Sequence, residues 1–106
     1  MFISVNCENG HSFCFEVKIL SYSQETGLSI HGQDENFFVF VDTGGNIETA
    51  DSIDSVKIES VELPNFSFFQ SDKEPGKIVI TSDDNKKELV SIEDLYHRIK
   101  RILFNS

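Results

Sequence analysis

The chain has 106 residues, which is enough for one domain that buries its own hydrophobic core. Its formal net charge is −9, so direct binding to nucleic acid, which needs a basic patch, is excluded. No apolar run approaches the roughly 20 residues of a membrane-spanning helix, which excludes a helical membrane protein. The start of the chain shows no secretion signal, so the expected compartment is the cytoplasm.

The negative charge is confined to the first two thirds of the chain. Residues 1–71 contain eleven acidic and two basic residues, whereas residues 72–106 contain seven of each. The acidic part is also the part that is rich in phenylalanine and strand-like. The sequence therefore predicts an acidic surface on a β scaffold, a feature that bears on the choice of partner.

The first predicted element is a β-hairpin. Residues 1–7 and 11–22 alternate between apolar and polar side chains, and Glu8-Asn9-Gly10 is typical of a turn. A three-residue loop with Gly10 in the left-handed conformation pairs Val5 with Phe13 and keeps one apolar face. A two-residue loop would place the apolar rows on opposite faces.

Short strands are predicted in the middle of the chain at residues 28–31, 37–41 and 56–63. The run 37–41 is continuously apolar, which indicates a strand covered on both faces. Residues 47–55 are ambiguous and could hold a helical turn. In the strand 56–63 the apolar phase shifts, and a β-bulge near Glu59 and Ser60 would produce that shift.

Three further strands, at residues 66–70, 77–81 and 88–90, are predicted before a C-terminal helix. Ser91 is a helix N-cap, and Glu93 and Asp94 follow in the first turn, where negative charge is favourable. One stripe of the helix is apolar and needs a partner surface. Its members are Ile92, Leu95, Tyr96, Ile99, Ile102 and Leu103.

The predicted fold class is α+β. A mainly antiparallel sheet or a partly open barrel of six to eight strands carries the one C-terminal helix, and residues 1–106 form a single domain.

The apolar run 37–41 leads into Asp42-Thr43-Gly44. These residues resemble the active-site motif of the retroviral-type aspartic proteases, β-rich homodimers in which each subunit supplies one carboxylate. The resemblance covers about five residues. The family usually places a small residue other than glycine directly after the motif, where this chain has Gly45. It also places a glycine just before its helix, where this chain has Ser91. The competing interpretation is a strand that ends in a tight turn, for which Asp and Gly are expected.

No metal or cofactor site is predicted. His11, His31 and His97 lie on three separate elements without zinc-site spacing. Residues 83–85 lack the glycine and the distal glutamate of a calcium loop. Cys7 and Cys14 face opposite sides of the predicted hairpin, so we expect two free thiols.

An acidic segment in the middle of the chain is the predicted partner-binding site. Its 21 residues contain one base, Lys57, and six acids with apolar residues between them, which an interface needs as anchors. The six acids are Asp42, Glu48, Asp51, Asp54, Glu59 and Glu62. The alternative is a solvated face that only keeps the protein soluble.

The predicted function is a small non-catalytic binding protein that engages a basic protein surface. Immunity proteins and phage-encoded inhibitors of nucleic-acid-handling enzymes are examples of this composition, and the likeness is one of composition alone. The alternative is a small-ligand or structural module, and a third hypothesis is the aspartic protease. The sequence leaves the partner's identity and the oligomeric state open.

Overall fold

A long antiparallel meander accounts for most of the chain. The computed structural model describes residues 1–33, 37–49 and 56–104. The strands and the helix are β1 Phe2–Cys7, β2 Ser12–Ser23, β3 Gly27–Gly32, β4 Phe38–Val41, β5 Ile47–Thr49, β6 Ile58–Glu62, β7 Phe66–Gln70, β8 Lys77–Ser82, β9 Lys87–Ser91 and α1 Ile92–Phe104. Within these residues no helix is long and apolar enough to cross a membrane.

The first strand lies in the middle of the sheet. The strand order is β5-β4-β3-β2-β1-β6-β7-β8-β9, and every neighbouring pair is antiparallel. One meander therefore runs outward from β1 to β5, and β6 returns to the other side of β1 to begin a second. The twelve-residue β2 pairs with β1 through its first half and with β3 through its second half.

The α+β class and the C-terminal helix are confirmed, but the predicted count of six to eight strands was wrong. Within the described residues, the sheet is open and has nine strands. The missed strand is β5, which lies in the ambiguous segment 47–55. It contains three residues, too few to display alternation, and a turn through Gly45 (φ +81°) sets Ile47 opposite Val41. Residues 50–55 lie outside the described residues.

The register of the first hairpin is confirmed. Val5 lies opposite Phe13 and Ile3 opposite Phe15. Gly10 has a φ of +87°, and its amide donates to the carbonyl of Cys7 at 3.0 Å. The left-handed glycine therefore closes a three-residue loop that keeps Ile3 and Val5 on the same face as Phe13 and Phe15.

The helix covers the apolar face of the sheet, as its stripe predicts. Leu95 and Ile99 are fully buried, and the Tyr96 ring stacks on Tyr22 with centroids 4.9 Å apart. The Ser91 hydroxyl accepts from the amide of Asp94 at 3.2 Å, so Ser91 is the N-cap. The remaining stripe residues, Ile92, Ile102 and Leu103, are buried or pack against the core.

Two turns from separate parts of the sheet are hydrogen-bonded to each other. The amide of Gly76 donates to the carbonyl of Gly44 at 2.9 Å, and Gln70 Nε2 donates to Asn46 Oδ1 at 2.7 Å. Gly44 and Asn46 belong to the turn between β4 and β5, whereas Gly76 immediately precedes β8. The sheet is therefore curved strongly enough to bring these two turns into contact.

Candidate functional site

The outer face of the sheet, opposite the helix, carries the candidate site. Along β6, Ile58 and Val61 face the core, whereas Glu59, Ser60 and Glu62 point outward. The predicted bulge produces this arrangement. Asn6 pairs with Ser60 and Cys7 with Ile58, so Glu59 is the extra residue without a partner on β1. A bulge of this kind re-aims side chains, and here it places two adjacent polar residues on one face.

A row of hydrogen bonds fixes the polar surface beside these residues. Ser12 Oγ donates to Asn6 Oδ1 at 2.9 Å, and Asn6 Nδ2 donates to Ser60 Oγ at 3.3 Å. The row crosses β2, β1 and β6 on the outer face. The bond from Asn6 uses one lone pair of the Ser60 oxygen. The hydroxyl can still accept a second hydrogen bond and donate one.

An aromatic side chain adjoins the two glutamates. Glu62 lies opposite Ser67 on β7, and Phe69 is the next outward residue of that strand. A shallow cavity of about 270 Å³ lies between Glu59, Ser60, Ser67 and Phe69. Lys87 on β9 places its ammonium nitrogen 5.9 Å from the centroid of the Phe69 ring. The cavity thus joins a carboxylate, two hydroxyls and an aromatic face.

Several acidic side chains elsewhere already have a basic partner within 4.0 Å. These pairs are Glu8 with Lys57, Asp84 with Lys86, Glu93 with His97 and Glu88 with Arg98. Within the part of the chain that the structure describes, neither Glu59 nor Glu62 has such a partner. Their charges are therefore available to a cation from outside the chain.

The structure brings together only part of the predicted acidic segment. Glu59 and Glu62 share the outer surface of β6, whereas Glu48 lies on β5 with four strands between them. At about 4.8 Å per strand, the separation is roughly 24 Å along the sheet. Asp42 lies at the end of β4, and Asp51 and Asp54 lie outside the described residues.

Asp42 organises its own turn. Its Oδ1 accepts from the amide of Gly44 at 2.8 Å and from the amide of Asn46 at 3.1 Å. The side-chain nitrogen of Asn46 also donates to both carboxylate oxygens, at 3.2 and 3.1 Å. These bonds explain why an aspartate stands before Thr43-Gly44 without reference to any reaction.

We expect Asp42→Asn to lower the free energy of unfolding by less than about 0.5 kcal/mol, because the amide oxygen can accept the same backbone bonds. Asp42→Ala removes the acceptor and should cost about 1–2 kcal/mol. Urea denaturation of both variants checks this. Equal losses would show that the negative charge, rather than the acceptor oxygen, matters in the turn.

Sequence reasoning missed Ser67 and Phe69 as members of the site. The alternation of side chains along a strand could have identified them. Phe66 and Phe68 face the core, so Ser67 and Phe69 must face outward. The high phenylalanine content of this segment concealed it, because Phe69 reads as one more core residue.

The two cysteines are free and differ in environment. Cys7 is buried on β1, and this burial raises the pKa of its thiol above the ordinary value. Cys14 is exposed on β2 and lies opposite Ser4 on the outer face. Among the described residues, no three His, Cys, Asp or Glu side chains are grouped closely enough to hold a metal ion.

We expect one thiol, Cys14, to react rapidly with a disulfide reagent at neutral pH. Cys7 should react only on unfolding, because burial blocks access and its raised pKa lowers the thiolate fraction. Titration before and after addition of denaturant, without reductant, measures both. Zero thiols in denaturant would contradict the assignment of two free cysteines.

The chain matches no protein-family model, and neither curated protein sequences nor solved structures show significant similarity to it.

Proposed function

We propose that this protein is a non-catalytic binding protein that engages a basic protein surface through the outer face of β6. The observation that carries the proposal is the pair Glu59 and Glu62, which flank Ser60 on the outer surface of β6 and have no basic partners among the described residues. Glu59 lines a cavity together with Phe69. The proposed activity is that of an inhibitor or immunity-type protein. Its target is a protein that handles nucleic acid, and it acts in the cytoplasm.

Charge and apolar anchors occur together on this face, which favours a protein partner. Carboxylates steer a basic partner and raise its association rate, but an interface also needs apolar contact area. Phe69 is half-buried beside Glu59, and Phe2 on β1 is 61% exposed on the same face, opposite Glu16. These aromatic side chains supply apolar contact area on the face that carries the two glutamates.

A basic target is favoured by the chain's own charge. The formal net charge is −9, and basic nucleases and nucleic-acid-binding domains present a cationic groove for phosphates. Carboxylates held on a rigid strand can occupy such a groove in place of phosphates. Glu59 and Glu62 belong to strand β6, and a strand positions side chains more precisely than a loop does.

The test compares two pairs of charge neutralisations in one binding assay. The first variant is Glu59→Gln with Glu62→Gln. The matched control is Glu93→Gln with Asp94→Asn, which makes the same change in net charge on the helix, at the opposite face of the sheet. Both are titrated against a panel of basic nucleases and nucleic-acid-binding domains at 50 and 300 mM salt.

We expect at least one panel member to bind the wild-type chain saturably at low salt. The β6 variant should weaken that binding at least tenfold and the control less than twofold, because only the first removes charge from the interface. Equal effects of the two variants, or no saturable binding across the panel, would contradict the proposal.

A further inference from the structure

The cavity beside β6 has the size and lining of a site for one side chain. Its volume of about 270 Å³ lies below the range of roughly 300–1,000 Å³ typical of small-molecule sites. The cavity is lined by Phe69, Glu59, Ser60 and Ser67. Glu62 lies opposite Ser67, which lines the cavity, and supplies a second carboxylate on β6.

The walls fit a planar cation. An aromatic ring attracts a cation to its face, and a carboxylate accepts two parallel hydrogen bonds from a guanidinium. Arginine combines both properties, whereas the ammonium group of lysine is a compact, strongly hydrated point charge. The chain itself places a cation at this ring, since Lys87 Nζ lies 5.9 Å from the Phe69 centroid although Lys87 does not line the cavity.

We propose that this cavity receives a single arginine side chain of the basic partner. The guanidinium stacks on Phe69 and donates to the Glu59 carboxylate, while the hydroxyl oxygens of Ser60 and Ser67 accept from its edge. This inference rests on the proposed function and specifies which chemical group of the partner the β6 surface recognises.

The experiment uses N-acetyl-arginine amide as the probe, titrated at low salt into isotopically labelled full-length protein and followed by backbone amide NMR shifts. N-acetyl-citrulline amide is the matched control, because it has nearly the same shape without the charge. We expect saturable shifts centred on residues 59–60, 67 and 69, with the citrulline probe binding at least tenfold more weakly.

Three variants and one control locate the binding. Glu59→Gln and Phe69→Leu should each weaken the arginine probe at least threefold, and the control Asp94→Asn, on the helix, should change it less than 1.5-fold. Lys87→Ala should strengthen it two- to threefold, because the chain's own ammonium no longer competes for the ring. Melting temperatures near that of the wild type confirm that the variants are folded.

Shifts spread over the whole acidic surface, equal binding of the citrulline probe, or weaker binding by Lys87→Ala would overturn the inference. The outcome is separable from that of the proposed function. Loss of a basic protein partner in the β6 double variant without arginine-probe binding refutes the arginine site alone. Arginine-probe binding without any effect of that variant on a basic protein refutes the proposed function alone.

Discussion

Leu95→Ala is expected to lower the free energy of unfolding by about 3–4 kcal/mol. The Leu95 side chain is 0% exposed and lies between the helix and the inner face of the sheet. Truncation removes its transfer free energy and leaves a cavity, since the rigid sheet opposite cannot collapse into the space. Equilibrium denaturation by urea measures the change directly.

Leu103→Ala is the matched control on the same helix. Leu103 is half-buried and lies in the last turn, so its truncation should cost only about 1 kcal/mol. Equal losses from the two variants would contradict the difference in burial between Leu95 and Leu103. Wild-type stability in Leu95→Ala would mean that the helix does not pack on the sheet through this stripe. The stripe would then itself be a binding surface.

Gly27→Ala is expected to destabilise the protein by about 3 kcal/mol, for a reason that concerns the backbone. Gly27 begins β3 with a φ of +108°, which L side chains rarely adopt. A Cβ at this position would overlap the carbonyl oxygen of Val41 on β4. Because the obstacle is backbone, two paired strands must separate to accommodate one methyl group.

Gly10→Ala separates the steric overlap from the torsional strain. Gly10 also has a positive φ, +87°, but nothing lies within 4 Å of an added Cβ. The cost there should be about 1 kcal/mol, which is the torsional penalty alone. If both glycine variants lost the same stability, the close approach of β3 and β4 at Gly27 would be contradicted.

The parts of the fold that sequence could predict are those in which alternation and turn chemistry agree. The register of the first hairpin follows from Gly10 and the apolar rows on either side of it. The bulge at Glu59 follows from the change of apolar phase along β6. In both cases one register alone keeps the apolar side chains on a single face, so local residues decide the outcome.

The parts that could not be predicted depend on contacts between distant residues. The strand β5 is only three residues long and is defined by its pairing with β4. Asp42 and Glu48 are near Glu59 in sequence. The chain then returns to β1, however, so that β6 pairs with the edge of β1 opposite to the one that pairs with β2. The acids of this segment that the structure describes therefore fall on different strands, and Glu59 is the one that lines a cavity with Phe69.

The most direct test of the proposed function is the association rate of a basic partner measured against ionic strength, for the wild-type chain and for the variant Glu59→Gln with Glu62→Gln. Charges that steer a partner act on the association rate and are screened by salt. We expect the wild-type rate to fall steeply with salt and the variant's slope to be clearly shallower, with the two rates converging at high salt. Parallel dependences would contradict the claim that these two glutamates form the binding surface.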